Sequence, residues 1–186
     1  AMSNDFETGA QYFTQSLIGD PTNPYLLENA LVAYVALGDF ERAKPIATIM
    51  TQSGIESQMA HIVLSVIAAT TGDWDKVVLQ LENKQKIGPL VDGLTRGWAS
   101  VGQGQMAAAI VTFDALTQTA GLSSYSLYNK ALALSYVGDF EGADAIFAQS
   151  PENGMRYNRR SAIAHARILS QLDRNSEALA LIDAVF

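Results

Sequence analysis

Residues 35–47 read "VALGDFERAKPIA" and residues 134–147 read "LSYVGDFEGADAIF". Both pivot on Gly-Asp-Phe followed by Glu, with Ala43 and Ala143 at the same offset from the turn. Glycine takes the left-handed conformation that ends a helix, and aspartate accepts from the open N–H groups that begin the next one. The stretch therefore predicts two antiparallel helices joined by a short turn. Apolar residues ahead of each turn fall at helical spacing: Leu27, Ala30, Ala33, Tyr34 and Leu37 in one case, Leu127, Ala131, Leu134 and Val137 in the other. No segment shows the alternation of a strand.

The turn belongs to a series. It occurs as Asn4-Asp5-Phe6, Gly38-Asp39-Phe40, Gly72-Asp73-Trp74, Gly104-Gln105-Met106, Gly138-Asp139-Phe140 and, degraded, Asp173-Arg174-Asn175, at spacings of 34, 34, 32, 34 and 35. Small residues keep step with it: Gly9, Ala43, Val77, Ala109, Ala143 and Ala178. Four residues further on, on the same helix face, come Phe13, Ala47, Leu81, Phe113, Phe147 and Ile182. That face is the one to bury. Gly19, Gly54, Gly88, Gly121 and Gly154 close the second helices, with Pro21 and Pro89 beyond two of them.

A helix-turn-helix unit of this period, with a Gly-Asp-aromatic turn, a small residue, an aromatic and a following Asp20-Pro21, resembles the tetratricopeptide repeat. The resemblance implies an all-α, right-handed α-solenoid of antiparallel helix pairs, about eleven helices in one array over residues 1–186. It divides into a leading half repeat at 4–23 and repeats at about 24–56, 57–88, 89–122, 123–157 and 158–186. Ala1-Met2 reads as the scar of a trimmed start, and the apolar ending Ala184-Val185-Phe186 reads as an excerpt of a longer chain or as an end that pairs with another copy. The fourth unit breaks register. Counted from Gly104 it places Arg96 in the core; counted from Gly102, with two extra turn residues, Val91, Leu94 and Trp98 take the places of Leu27, Ala30 and Tyr34, and this second register is the expected one. Pro45 is expected to remove one backbone bond and bend its helix.

Composition narrows the function. Of 186 residues 48% are hydrophobic, enough for a substantial core, and the longest nearly apolar run, Ile62 to Ala69, falls well short of the roughly 18 residues of a membrane span. No membrane insertion is expected. A net charge of -7 argues against nucleic acid. With no cysteine there is no disulfide, thiolate metal site or Cys nucleophile. His61 and His165 each sit alone in an apolar stretch and read as core or interface residues. The glycine-rich run "VGQGQ" at 101–105 follows a helix and lacks the Lys-Ser/Thr of a phosphate loop. Asp139, Glu141 and Asp144 recur as Asp39, Glu41 and Lys44, so their spacing reflects a helix start and no calcium loop. No catalytic, metal or cofactor residue is assigned.

In the family, first-helix residues line a concave wall that binds a protein or peptide. Carried onto this chain, that wall comprises Tyr25, Glu28, Asn29 and Val32; Met59, Ile62 and Val66; Asp92 and Arg96; Tyr125, Tyr128, Asn129 and Leu132; and Arg160, Ile163 and Arg167. Ile62, Val66 and Ile163 read as packing residues, and Tyr25, Arg96, Tyr128, Asn129 and Arg160 as the leading contacts. Glu28 and Ile62 stand where a clamp around a terminal carboxylate would need cations. The expected function is a protein-interaction module. The alternative is an assembly protein that forms a homodimer through its array ends. The array resembles bacterial repeat proteins, exported as much as cytoplasmic ones, with export slightly favoured.

Overall fold

The glycine hinges at residues 38, 72 and 138 close by the same pair of backbone bonds. Gly38 N–H donates to Val35 O (3.0 Å) and Asp39 N–H to Tyr34 O (2.9 Å); at the next hinges Gly72 bonds Ala69 O and Asp73 bonds Ala68 O, and Gly138 bonds Ser135 O and Asp139 bonds Leu134 O. The closure needs a left-handed residue at the hinge, and Gly38, Gly72, Gly104 and Gly138 take φ of 71°, 72°, 73° and 88°. Asp173 does the same at 59°, a conformation that few residues other than glycine adopt. Where an aspartate follows the glycine it caps the second helix: Asp39 accepts from Arg42 N (3.0 Å) and Asp139 from Gly142 N (2.8 Å), whereas Gln105 makes no such bond.

The protein is described by a computed structural model over residues 5–82, 87–150, 152, 154–155 and 157–185. Ala1, Met2 and Asn4 of the sequence reading, and Phe186, lie outside the described residues. Among these residues there are eleven helices and no strand. They are α1 (Phe6–Ser16), α2 (Pro24–Ala36), α3 (Phe40–Gln52), α4 (Gln58–Thr70), α5 (Trp74–Glu82), α6 (Pro89–Gly102), α7 (Met106–Thr117), α8 (Ser123–Tyr136), α9 (Phe140–Ala148), α10 (Arg159–Gln171) and α11 (Asn175–Val185). None of them is long and apolar enough to cross a membrane. Helix α3 runs on through Pro45.

The helices group into two compact units, Ala1–Ile87 with α1 to α5 and Gly88–Phe186 with α6 to α11. In the first, Leu27, Leu31 and Tyr34 of α2 pack with Ala43, Ala47 and Met50 of α3 and with Ala60 and Val63 of α4. In the second, one cluster joins Val101, Ala109, Phe113 and Ala133, and another joins Ala131, Leu134, Ala143, Phe147, Met155 and Ile168. The small residues do what their spacing demands: Ala43, Ala109 and Ala143 are wholly buried, which lets each helix pair close tightly. Phe113 and Phe147, four residues later, are buried as well, each stabilising the fold by about 1.5–3 kcal/mol.

The fourth unit corrects the sequence register. Gly104 N–H donates to Val101 O (2.9 Å) and Gln105 N–H to Ser100 O (2.8 Å), the same closure as at Gly38, whereas Gly102 is the last residue of α6. There are no extra turn residues; the step from Gly72 to Gly104 is 32 residues, two fewer than the neighbouring steps of 34. Gly93 and Gly97 thus take the places of Leu27 and Leu31. A Cβ on Gly97 would lie 2.4 Å from Phe113 Cε1, and one on Gly93 3.1 Å from Leu116 Cδ1. Glycines on α6 make room for the large side chains of α7.

Candidate functional site

With Gly104 as the hinge, first helices align position by position. Tyr25, Glu28, Asn29 and Val32 on α2 correspond to Val91, Leu94, Thr95 and Trp98 on α6 and to Tyr125, Tyr128, Asn129 and Leu132 on α8. On α10 the same positions hold Arg160, Ile163, Ala164 and Arg167. Arg96 drops out of the wall. It shares the helix position of Lys130 and His165, whose side chains turn away to Asp114 on α7 (2.6 Å) and Asp144 on α9 (2.7 Å). Asp92 falls outside the wall for the same reason. Val91, Leu94 and Trp98 take the wall positions of α6; Leu94 and Trp98 also pack against the Phe113 core cluster, as the sequence suggested, while Val91 is exposed. The even 34-residue step from Gly104 to Gly138 was the signal that marks them.

Within the second unit, α8 and α10 lie side by side, with Cα atoms within 8 Å. Two adjoining clefts open between them and share Tyr128 and Arg160. The first, of about 580 Å³, is walled by Ser123, Ser124, Tyr125, Tyr128, Asn158, Arg160 and Ser161, with Gly121 and Gly154 at its edge. The second, of about 650 Å³, is walled by Tyr128, Leu132 and Ser135 of α8 and by Arg159, Arg160, Ile163, Ala164, Arg167 and Ile168 of α10. Five expected wall residues, Tyr125, Tyr128, Leu132, Arg160 and Arg167, thus come together. Ile163 joins them: it is 38% exposed and lines the cleft, where the sequence suggested packing alone.

The two asparagines are engaged locally. Asn29 Nδ2 donates to Tyr25 O (2.8 Å) and Asn129 Nδ2 to Tyr125 O (2.9 Å), each on its own helix. Asn129 Oδ1 also accepts the indole N–H of Trp98 (2.8 Å), which ties α8 to α6. In the first unit Tyr25 is exposed, Glu28 is half-buried, and Met59 packs against the core.

Helix α10 is held from behind by a partly buried polar chain. His165 lies stacked on Phe147, ring centroids 4.7 Å apart, and bridges Tyr157 Oη at Nδ1 and Asp144 Oδ1 at Nε2 (2.7 Å). The second Asp144 oxygen accepts from Arg174 (2.6 Å), whose guanidinium also pairs with Glu177 (2.7 Å). Burial acts to raise the Asp144 pKa, but the hydrogen bonds from His165 and Arg174 outweigh it and hold the carboxyl below its ordinary value. Burial, with the Asp144 charge behind it, pushes the Tyr157 phenol up to about 12. His165 is therefore a structural pin, and His61, bonded to Gln80 (2.8 Å), is another. Among the described residues no three His, Cys, Asp or Glu side chains converge on a point that could hold a metal.

The charge on this face departs from that of the chain. Helix α10 carries three arginines and no carboxylate, in a protein of net charge -7. Arg42, Lys76, Lys130 and Arg174 each pair with an acid, whereas Arg160 and Arg167 have no acidic partner among the described residues.

No protein-family model matches the sequence, and no curated protein is similar to it. Among solved structures the chain is similar to the crystal structure of YrrB, a TPR protein with an unusual peptide-binding site: the TM-score is 0.59 and the identity 12%, over 94% of this chain and 90% of that one. At that identity the likeness carries the fold alone, and the fold is the helix-pair solenoid of tetratricopeptide-repeat proteins.

Proposed function

We propose that this helix-pair solenoid is a protein-interaction module and that it takes a peptide segment in the α8/α10 cleft. One observation carries the reading: Tyr125, Tyr128 and Leu132 of one first helix and Arg160, Ile163 and Arg167 of the next line one connected depression. Aromatic and aliphatic surface flanked by directional polar groups is the composition of binding hot spots, and Tyr and Arg are enriched there. The structural similarity to a peptide-binding TPR protein points the same way. The reading assigns the chain no catalytic step.

Selection of short random peptides against the immobilised 186-residue chain tests it. Enriched peptides should lose binding to a chain carrying Tyr125→Ala and Ile163→Asp, both exposed positions whose change leaves the core intact. Equal binding to the parent and this variant, with unchanged thermal melts, would remove the cleft from consideration.

A second reading, self-association through α1 and α11, is favoured by α11, which has no buried residue and leaves Leu179 66% exposed. Exposed apolar side chains of this kind promote association. Sedimentation equilibrium decides it: a Leu179-dependent dimer supports the reading, and a monomer at every concentration reached ends it.

A further inference from the structure

Resting on the peptide-binding reading above, we propose that the α8/α10 cleft is selective for an extended acidic segment, one with two carboxylates about three residues apart around an aliphatic side chain. The first support is charge. Helix α10 has three arginines and no acid, and Arg160 and Arg167 have no acidic partner among the described residues, whereas Arg42, Lys76, Lys130 and Arg174 each have one. Two like charges held on one helix face repel each other, and a ligand carrying negative charge relieves that repulsion as it binds. Arginine is suited to the task because its planar fork accommodates both oxygens of one carboxylate.

The second support is spacing. Arg160 and Arg167 stand seven positions apart on α10, which at 1.5 Å per residue separates their Cα atoms by about 10 Å along one face. Ile163 sits between them and lines the same cleft. An extended chain in the polyproline II form advances about 3.1 Å per residue with three residues per turn, so carboxylates three positions apart share a face and reach both arginines, while an aliphatic side chain between them turns toward Leu132 on the facing wall.

The random-peptide selection separates this inference from the reading beneath it. The expected result is enrichment of sequences with paired Asp or Glu at that spacing. A synthetic peptide from the enriched set should bind the full chain, measured by fluorescence anisotropy, about tenfold more tightly than its Gln isostere or an isomer with adjacent acids. Arg160→Gln with Arg167→Gln should abolish that preference, and added salt should weaken the acidic peptide more than the isostere. If enriched peptides carry no acidic pair, or bind the double arginine variant equally well, the charge inference is overturned while the peptide reading stands. If no enriched peptide depends on Tyr125 and Ile163, both fall together.

Discussion

Gly97 shows how far one missing methyl reaches. Its position corresponds to the wholly buried Leu31, yet here the neighbour across the interface is Phe113, and a Cβ would come within 2.4 Å of that ring. Volume has moved from the first helix to the second, and the packing stays filled. Gly97→Ala should therefore destabilise the fold by about 1–3 kcal/mol through overpacking, even though alanine is the better helix former. Replacing Phe113 with leucine in the same chain should recover part of the loss. Chemical denaturation of the two single variants and the double variant measures the coupling, and strictly additive effects would show that the two residues do not meet as described. This exchange was hidden in the sequence because glycine in a helix reads as a weak point, not as a socket.

At the scale of the element, α10 depends on the chain of bonds from Tyr157 through His165 to Asp144 and Arg174. Two pH limits follow. Because the folded Asp144 pKa lies below its ordinary 3.8, the stability it contributes is present above that value and is lost as pH falls through the folded pKa. Hydrogen exchange in α10 and α11 should accelerate in that acid range, and Asp144→Asn should flatten the response. At the alkaline end the Tyr157 pKa is raised from 10.0 to about 12, so the contribution is complete below pH 10 and is lost on approaching pH 12. Ultraviolet titration should show one late-ionising tyrosine, absent after Tyr157→Phe; a single transition for all tyrosines would contradict the network. Sequence periodicity exposed the helices but not this network, whose members Asp144, Tyr157, His165 and Arg174 are brought together by packing between α9, α10 and α11.

For the molecule as a whole, the hinges made the architecture legible and also limited it. Counting between glycines located every helix pair, since the chemistry of the turn is local. It located five residues of the cleft wall for the same reason: Tyr125, Tyr128, Leu132, Arg160 and Arg167 sit at fixed distances before Gly138 and Asp173. It failed for Arg96, where counting from Gly102 in place of Gly104 shifted the register by two residues. The hinges have a further property. Around Gly38, Gly72, Gly104 and Gly138 no atom lies within 4 Å of where a Cβ would be, so each turn is closed by its own backbone and props up nothing else. A second copy of residues 104–137 inserted at Gly138 should fold, adding helical signal for two more helices without lowering the melting temperature, as nearest-neighbour repeat energetics require. A molten product in circular dichroism would count against it. Recombination between hinge codons can then lengthen or shorten the gene by one full period at a time, which makes the size of this protein an easily inherited variable and its side chains the slower one.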